Sequence, residues 1–293
     1  MKQSKLSVFQ RGSAPKFILS AERNFSNVSL RCNRYIRHHA SSRAYAYLDA
    51  CLLAKDKNGN PRPRAAKGNK EISLMRTIFE YGIRIDMLKT NPFADLDKLK
   101  TRVTARLVTD AEMALAVEVG RELGSTRLIV ALALRTAWLC LKRSVEVRAL
   151  TRPQITDEGI VWNAAKRQAG QVKVTGLIER SPELLATINE ALAIKRNQLA
   201  GTFYVFGNLS GQRYTKGGWK KMLSYLMAEC VKRAEVRKIE FTPFSLQDCR
   251  PKGVTDKMEQ GHADVMDATM HTNKRMIEQV YDRRRTRTAT PAK

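Results

Sequence analysis

The sequence predicts a mainly helical chain with one small antiparallel β-sheet, an α+β fold in two domains. Three observations carry this. Apolar residues recur mostly at spacings of three and four, the period of an amphipathic helix. Two short β-prone runs, GIVWN and QVKVTGLI, flank a Lys/Gly turn and read as a hairpin. The polar stretch LKTRVTARLVT has no period of its own and separates two apolar-periodic halves. A length of 293 residues suits two domains of about 150 each.

Residues 1–25 read as irregular, and MKQSKLSVFQRGSAPK lacks the apolar core of a signal peptide. Residues 26–100 form the first, helical domain. Helical spacing runs from about 27 to 53; KDKNGNPRPRAAKGNK, residues 55–70, reads as a loop. EISLMRTIFEYGIRIDML follows as an amphipathic helix, and Pro92 breaks the pattern. Residues 101–108 are the expected linker, 109–285 the second domain and 286–293 a basic tail. Thr109-Asp110-Ala111-Glu112 is a capping box. TRLIVALALRTAWLCL is apolar nearly all round, which predicts a buried central helix. Beyond the hairpin, ELLATINEALAIKRNQL, KGGWKKMLSYLMAECVKRA and the segments around Arg250 and up to Tyr281 read as helices.

The charge balance narrows the function. Lys and Arg number 53 against 28 Asp and Glu, a net charge of +25, which favours a polyanionic partner. The basic residues are spread through helix-like segments such as LRCNRYIRHH, so the expectation is a folded basic surface that attracts phosphates by counterion release. No apolar run is long enough to span a bilayer, and no membrane partner is expected. Cys32, Cys51, Cys140, Cys230 and Cys249 are scattered without zinc-ligand spacing, which predicts reduced cytosolic thiols and no structural metal.

Four places in the second domain stand out. Arg143 directly follows the apolar run, with Glu146 one turn later. Lys166 sits in the hairpin turn, KRQAGQ. Arg250 lies three residues after Gln247 in QDCR. His271 precedes Tyr281 by ten residues, and arginines crowd behind that tyrosine. Singly, each has an ordinary reading: dipole complementation for Arg143, a solvated turn for Lys166, a packed ring with a wet hydroxyl for Tyr281.

In this order, and in a helix–hairpin–helix context, these residues resemble the tyrosine recombinases, the phage-integrase family. CLKRSVEVRAL matches the motif T-G-x-R-x-x-E-L-x-x-L through Arg143, Glu146 and Leu150, without its glycine. Lys166 takes the place of the family's hairpin lysine, and QDCR matches H-x-x-R through Arg250, with Gln247 at the histidine. His271 matches the G-H histidine, with Met270 at the glycine; Gly261-His262 fits G-H literally but lies nineteen residues before Tyr281, too far for the family spacing. The match covers about residues 107–285, and the upstream half resembles the end of a core-type DNA-binding domain.

The resemblance implies a helical core-binding domain followed by a catalytic domain, and a site-specific recombinase that cuts and rejoins DNA. The Tyr281 hydroxyl would attack the scissile phosphate, leaving a 3′-phosphotyrosine and a free 5′-hydroxyl. Arg143 and Arg250 would offer forked donors to the phosphoryl oxygens. Lys166 would protonate the leaving oxygen. His271 would donate to the phosphate or help to take the tyrosine proton, Gln247 would hydrogen-bond a phosphate oxygen, and Glu146 would orient a basic residue. The arginines after Tyr281 would hold phosphate and backbone. No metal or other cofactor is implied. The implied partners are double-stranded DNA attachment sites, bound by a protein that is monomeric when free and tetrameric on DNA, with DNA-bending accessory proteins in the bacterial nucleoid or an infected host cell. The alternatives are a DNA-binding module with a decayed site and a type IB topoisomerase-like activity.

Overall fold

The computed structural model describes residues 32–101, 106–163, 175–196, 204–271 and 273–284, with the backbone alone for 32–40. The described residues fall into two compact units, divided between residues 103 and 104.

In the first unit, α1 (Cys32–Leu52) and α2 (Ala65–Arg84) enclose a small core of Ala44, Leu48, Ile72, Phe79, Phe93 and Leu96. The Asn69 side chain pins the following segment, donating to the Leu99 carbonyl at 2.8 Å and accepting from its N–H at 2.9 Å. The stretch expected as loop to residue 70 is already helical from Ala65. Contact with α1 overrides the weak local propensity: a Cβ on Gly68 would lie 3.0 Å from Cys51 Sγ, so the missing side chain lets the helices meet there.

The second unit runs α3 (Asp110–Leu123), α4 (Ser125–Leu139), α5 (Ser144–Val147), β1 (Gly159–Asn163), β2 (Thr175–Glu179), α6 (Pro182–Ala193), α7 (Lys216–Arg237), α8 (Leu246–Glu259), α9 (Val265–Thr269) and α10 (Lys274–Met276). A π-helical turn, Ile277–Tyr281, follows. The capping box forms: Thr109 Oγ1 accepts from Glu112 N at 3.2 Å, and Glu112 Oε2 from Thr109 N at 2.9 Å. The central helix α4 is buried as its composition predicts, with Ile129 through Leu134 wholly inside. It packs against α3, α6, α7 and α8. β1 and β2 form the antiparallel hairpin, in register from Gly159↔Glu179 to Asn163↔Thr175. α6 ends at Ala193 rather than continuing to Leu199, because the Arg196 guanidinium turns back to donate to the carbonyls of Ala191, Tyr204 and Val205.

Helix α8 is set against α4 with little room. Trp138 Nε1 donates to Asp256 at 2.6 Å, and buried Lys252 bridges Asp256 and Asp110. A Cβ on Gly253 would sit 2.2 Å from the Trp138 carbonyl oxygen, a backbone atom that cannot yield. Gly253→Ala should therefore destabilise the unit by about 3 kcal/mol or more. A urea midpoint equal to that of the wild type would contradict this close approach.

Cys51, Cys140, Cys230 and Cys249 are free and buried. Among the described residues, no helix is long and apolar enough to cross a membrane.

Candidate active site

The chain leaves α4 through Leu141, whose φ of 54° is left-handed. That conformation costs a residue with a Cβ about 1–2 kcal/mol. Here it is offset by burial, Leu141 being packed with Val254, Val265, Ala268 and Ile277. The turn delivers Arg143 to the first turn of α5. Glu146 Oε2 accepts from the Arg143 N–H at 2.7 Å and Oε1 from its Nη1 at 3.2 Å. The same buried carboxylate lies 3.8 Å from Arg250 Nη1, so it sits between two guanidinium groups.

Arg250 lies early in α8, which Ser245 caps. It is only 2 % exposed. Its Nη2 donates to the Thr269 carbonyl at 2.9 Å, while Nε and Nη1 are buried with no hydrogen-bond partner among the described residues. Burial and the neighbouring Arg143 push the guanidinium down to about 10, still a cation at neutral pH; the Tyr281 phenol and Glu146 favour that charge.

His271 follows Met270, a second residue held left-handed, at φ 55°. Its Nε2 accepts from Arg143 Nη2 at 2.9 Å, while Arg250 Nη2 stands almost equally far from the two ring nitrogens, 3.3 Å from Nε2 and 3.4 Å from Nδ1. Burial and the two guanidinium groups push the imidazole down to about 4, so it is neutral at pH 7. The ring lies 5.2 Å from that of Tyr281, tilted by 31°. Tyr281 ends the π-helical turn, a distortion common at functional sites. Arg250 Cζ is 5.0 Å from the Tyr281 ring centroid. The Thr255 hydroxyl donates to the Tyr281 carbonyl at 3.3 Å and accepts from Arg283 N at 3.1 Å, which ties down the backbone just after the phenol.

Arg143, Arg250 and Tyr281 thus line one open cavity of about 880 Å³, with Gln247 exposed on its α8 side and Arg148, Lys216 and Lys220 around it. Lys166 lies outside the described residues. His262 lines a different depression, with Trp138 and Asp256, whereas His271 lies against Arg143 and Tyr281. Of the arginines after Tyr281, Arg283 and Arg284 are described, and Arg285 and Arg287 lie outside the described residues. Arg284 forms a fork with the Asp282 carboxylate, at 3.0 and 2.9 Å, and the Arg283 guanidinium bonds to the Arg106 carbonyl. Both fasten the segment after the phenol, and Arg283, bonded there through Nη1 alone, also lines the cavity.

Lys142 was not legible as part of this region. It is buried, donates to the Ala268 carbonyl at 2.8 Å, and stands over the Trp162 ring at 5.7 Å; burial pushes its ammonium down to about 8. In the sequence it is one more lysine beside a more conspicuous arginine.

His271 carries a pH signature. Its pKa in the folded protein, about 4, lies below the ordinary 6.5. Between those values the unfolded chain binds the extra proton, so folding stability is full above about 6.5 and falls as pH drops toward 4. The melting temperature of the wild type should therefore fall more between pH 7 and 4.5 than that of His271→Gln. Equal falls would mean that the ring is not enclosed by the two guanidinium groups.

No protein-family model matches the chain, and no curated protein matches it. The fold is that of the tyrosine recombinases. Lambda integrase residues 75–356, a dimer bound to a COC′ core site, shares it at 16 % identity and TM-score 0.65, over 97 % of this chain and 95 % of that one. The Tn1549 transposon integrase in complex with circular intermediate DNA is similar at 15 % identity and TM-score 0.56, over 94 % and 95 %. The XerH site-specific recombinase on a palindromic difH substrate is similar at 13 % identity and TM-score 0.57, over 87 % and 71 %.

Proposed function

We propose that this protein is a site-specific DNA recombinase of the integrase type. It cuts and rejoins duplex DNA through a 3′-phosphotyrosine. One observation supports the reading above others: a buried Arg250, with two donors unmet among the described residues, lies beside Arg143 and over the Tyr281 ring. Buried donors without partners are costly, and a phosphate supplies anionic oxygens in a geometry that guanidinium forks match. An anion pocket that borders a phenol is suited to nucleophilic attack on phosphorus.

In this reading the Tyr281 oxygen forms a bond to the scissile phosphorus and the bond to the 5′-oxygen breaks. The 5′-oxygen takes a proton from Lys166, the phenolic proton leaves to solvent, and His271, neutral with its Nε2 lone pair already taken by Arg143, donates its other ring N–H to the phosphate. Arg143 and Arg250 neutralise the charge gathering on the phosphoryl oxygens. Gln247 donates a hydrogen bond at the rim. Because one phosphoester replaces another, attack by a 5′-hydroxyl on the phosphotyrosine reseals the strand. Arg148, Lys216 and Lys220 hold flanking phosphates, and the first unit grips the duplex as a second DNA-binding domain.

The direct test is a duplex carrying an attachment sequence from the DNA beside the gene, nicked next to the scissile phosphate. The protein should become trapped on it as a denaturant-resistant adduct; a binding module with a decayed site binds without trapping. Relaxation of supercoils without any site requirement would point instead to topoisomerase-like activity. The net charge of +25 keeps free copies apart. Light scattering should accordingly find a monomer in solution and a tetramer on paired sites; a tetramer without DNA would sink that part.

A further inference from the structure

Two residues beside the pocket are costly where they stand. Lys142 is 1 % exposed, and a buried ammonium is unfavourable without partners. Met270 holds a left-handed backbone at φ 55°. Each directly precedes a pocket residue, Lys142 before Arg143 and Met270 before His271.

Both reach the same rung of the hairpin. Lys142 Nζ stands 5.7 Å from the centroid of the buried Trp162 ring. The Met270 thioether fills the space over Gly176, where a Cβ would meet its Cγ and Sδ at 3.2 Å. Trp162 and Gly176 are direct partners across β1 and β2. Lys142 also donates to the Ala268 carbonyl at 2.8 Å, in the helix that Met270 terminates. The contacts therefore close a ring from Arg143 through Lys142 to the Trp162–Gly176 rung, on to Met270 and His271, and back through Ala268. The strand of Trp162 leads, four residues on, to Lys166.

We propose that Lys142 and Met270 are positioning residues that clamp the Trp162–Gly176 rung, so that the seating of the hairpin sets the placement of Arg143 and His271. This rests on the reading of the cavity as a phosphate-cleaving site. Close-packed interiors do not absorb a shifted rung; they pass it on. A hairpin out of place displaces Arg143 and His271 together.

The test uses the full chain and two variants that act from opposite sides. Met270→Gly relieves the backbone strain but empties the space over Gly176, so it should fold with a modestly lower melting temperature. Without the thioether over Gly176, amide hydrogen exchange along β1 and β2 should speed up about tenfold. Lys142→Met, an apolar side chain of similar length, should speed exchange at the His271 amide, which the substitution does not touch. On the nicked duplex both variants should cleave ten- to a hundredfold more slowly at unchanged DNA affinity, and Met270→Leu should restore the rate and the hairpin protection. Packing that served stability alone would not slow single-turnover cleavage measured well below the melting temperature of each variant. Unchanged exchange in both variants overturns the proposal, as does faster exchange with wild-type cleavage. Should the wild type itself form no adduct, the recombinase reading fails, and the exchange measurements alone decide whether the clamp exists.

Discussion

Tyr281→Phe is expected to abolish strand cleavage, by ~10⁴-fold or more, while duplex affinity stays near that of the wild type. In the proposed reading the phenolic oxygen is the attacking atom, and among the described residues that line the cavity Tyr281 carries the only phenol. The remainder of the side chain survives the change. A phenylalanine ring still stacks near His271 and under Arg250, at the 5.2 and 5.0 Å separations of the tyrosine ring. The backbone stays tied to Thr255 through its carbonyl. Loss of cleavage could not then be ascribed to a collapsed pocket. Trapping on the nicked duplex, beside fluorescence anisotropy for affinity, separates the two quantities. A covalent adduct formed by the Phe variant would remove Tyr281 from its role.

Arg250→Ala should slow single-turnover cleavage by roughly 10²–10³-fold, the usual cost of losing a donor to developing oxyanion charge. Binding should fall far less, because the many other basic side chains supply most of the attraction to the duplex. Arg250→Lys is the informative companion. It keeps the charge but loses the fork, and a point charge cannot serve the Thr269 carbonyl and two phosphoryl oxygens together. Partial activity in the lysine variant with almost none in the alanine variant would apportion the effect between charge and geometry. Wild-type cleavage by the alanine variant would show that the phosphate lies elsewhere.

Much of the architecture is local in origin and so was legible. Helix α4 announces itself as an apolar run, α3 through its Thr109–Glu112 capping box, and the hairpin through two β-prone runs around a turn. Misreadings fell where a distant contact won. Residues 65–70 are helical because Gly68 admits Cys51, and α6 stops early because Arg196 finds three carbonyls. Arg143, Arg250, His271 and Tyr281 could be singled out by type and order, but no spacing in the sequence says that one imidazole lies against both guanidinium groups.

By itself, then, the sequence determined the elements and the chemistry available: periodicity, capping and turn signals act within a few residues, and side-chain types are written in the chain. Tertiary structure alone decided which backbone conformations those residues accept. Leu141 and Met270 read as glycines missing from a motif, yet both adopt the left-handed turn that a glycine would take. Packing imposes it: Leu141 is driven into the apolar cluster of α8 and α9, and Met270 onto Gly176. The same holds for Lys142, whose burial depends on a carbonyl and an indole from elements far along the chain. Local propensity terms are worth about a kcal/mol or less per residue, and contacts in a close-packed interior outweigh them.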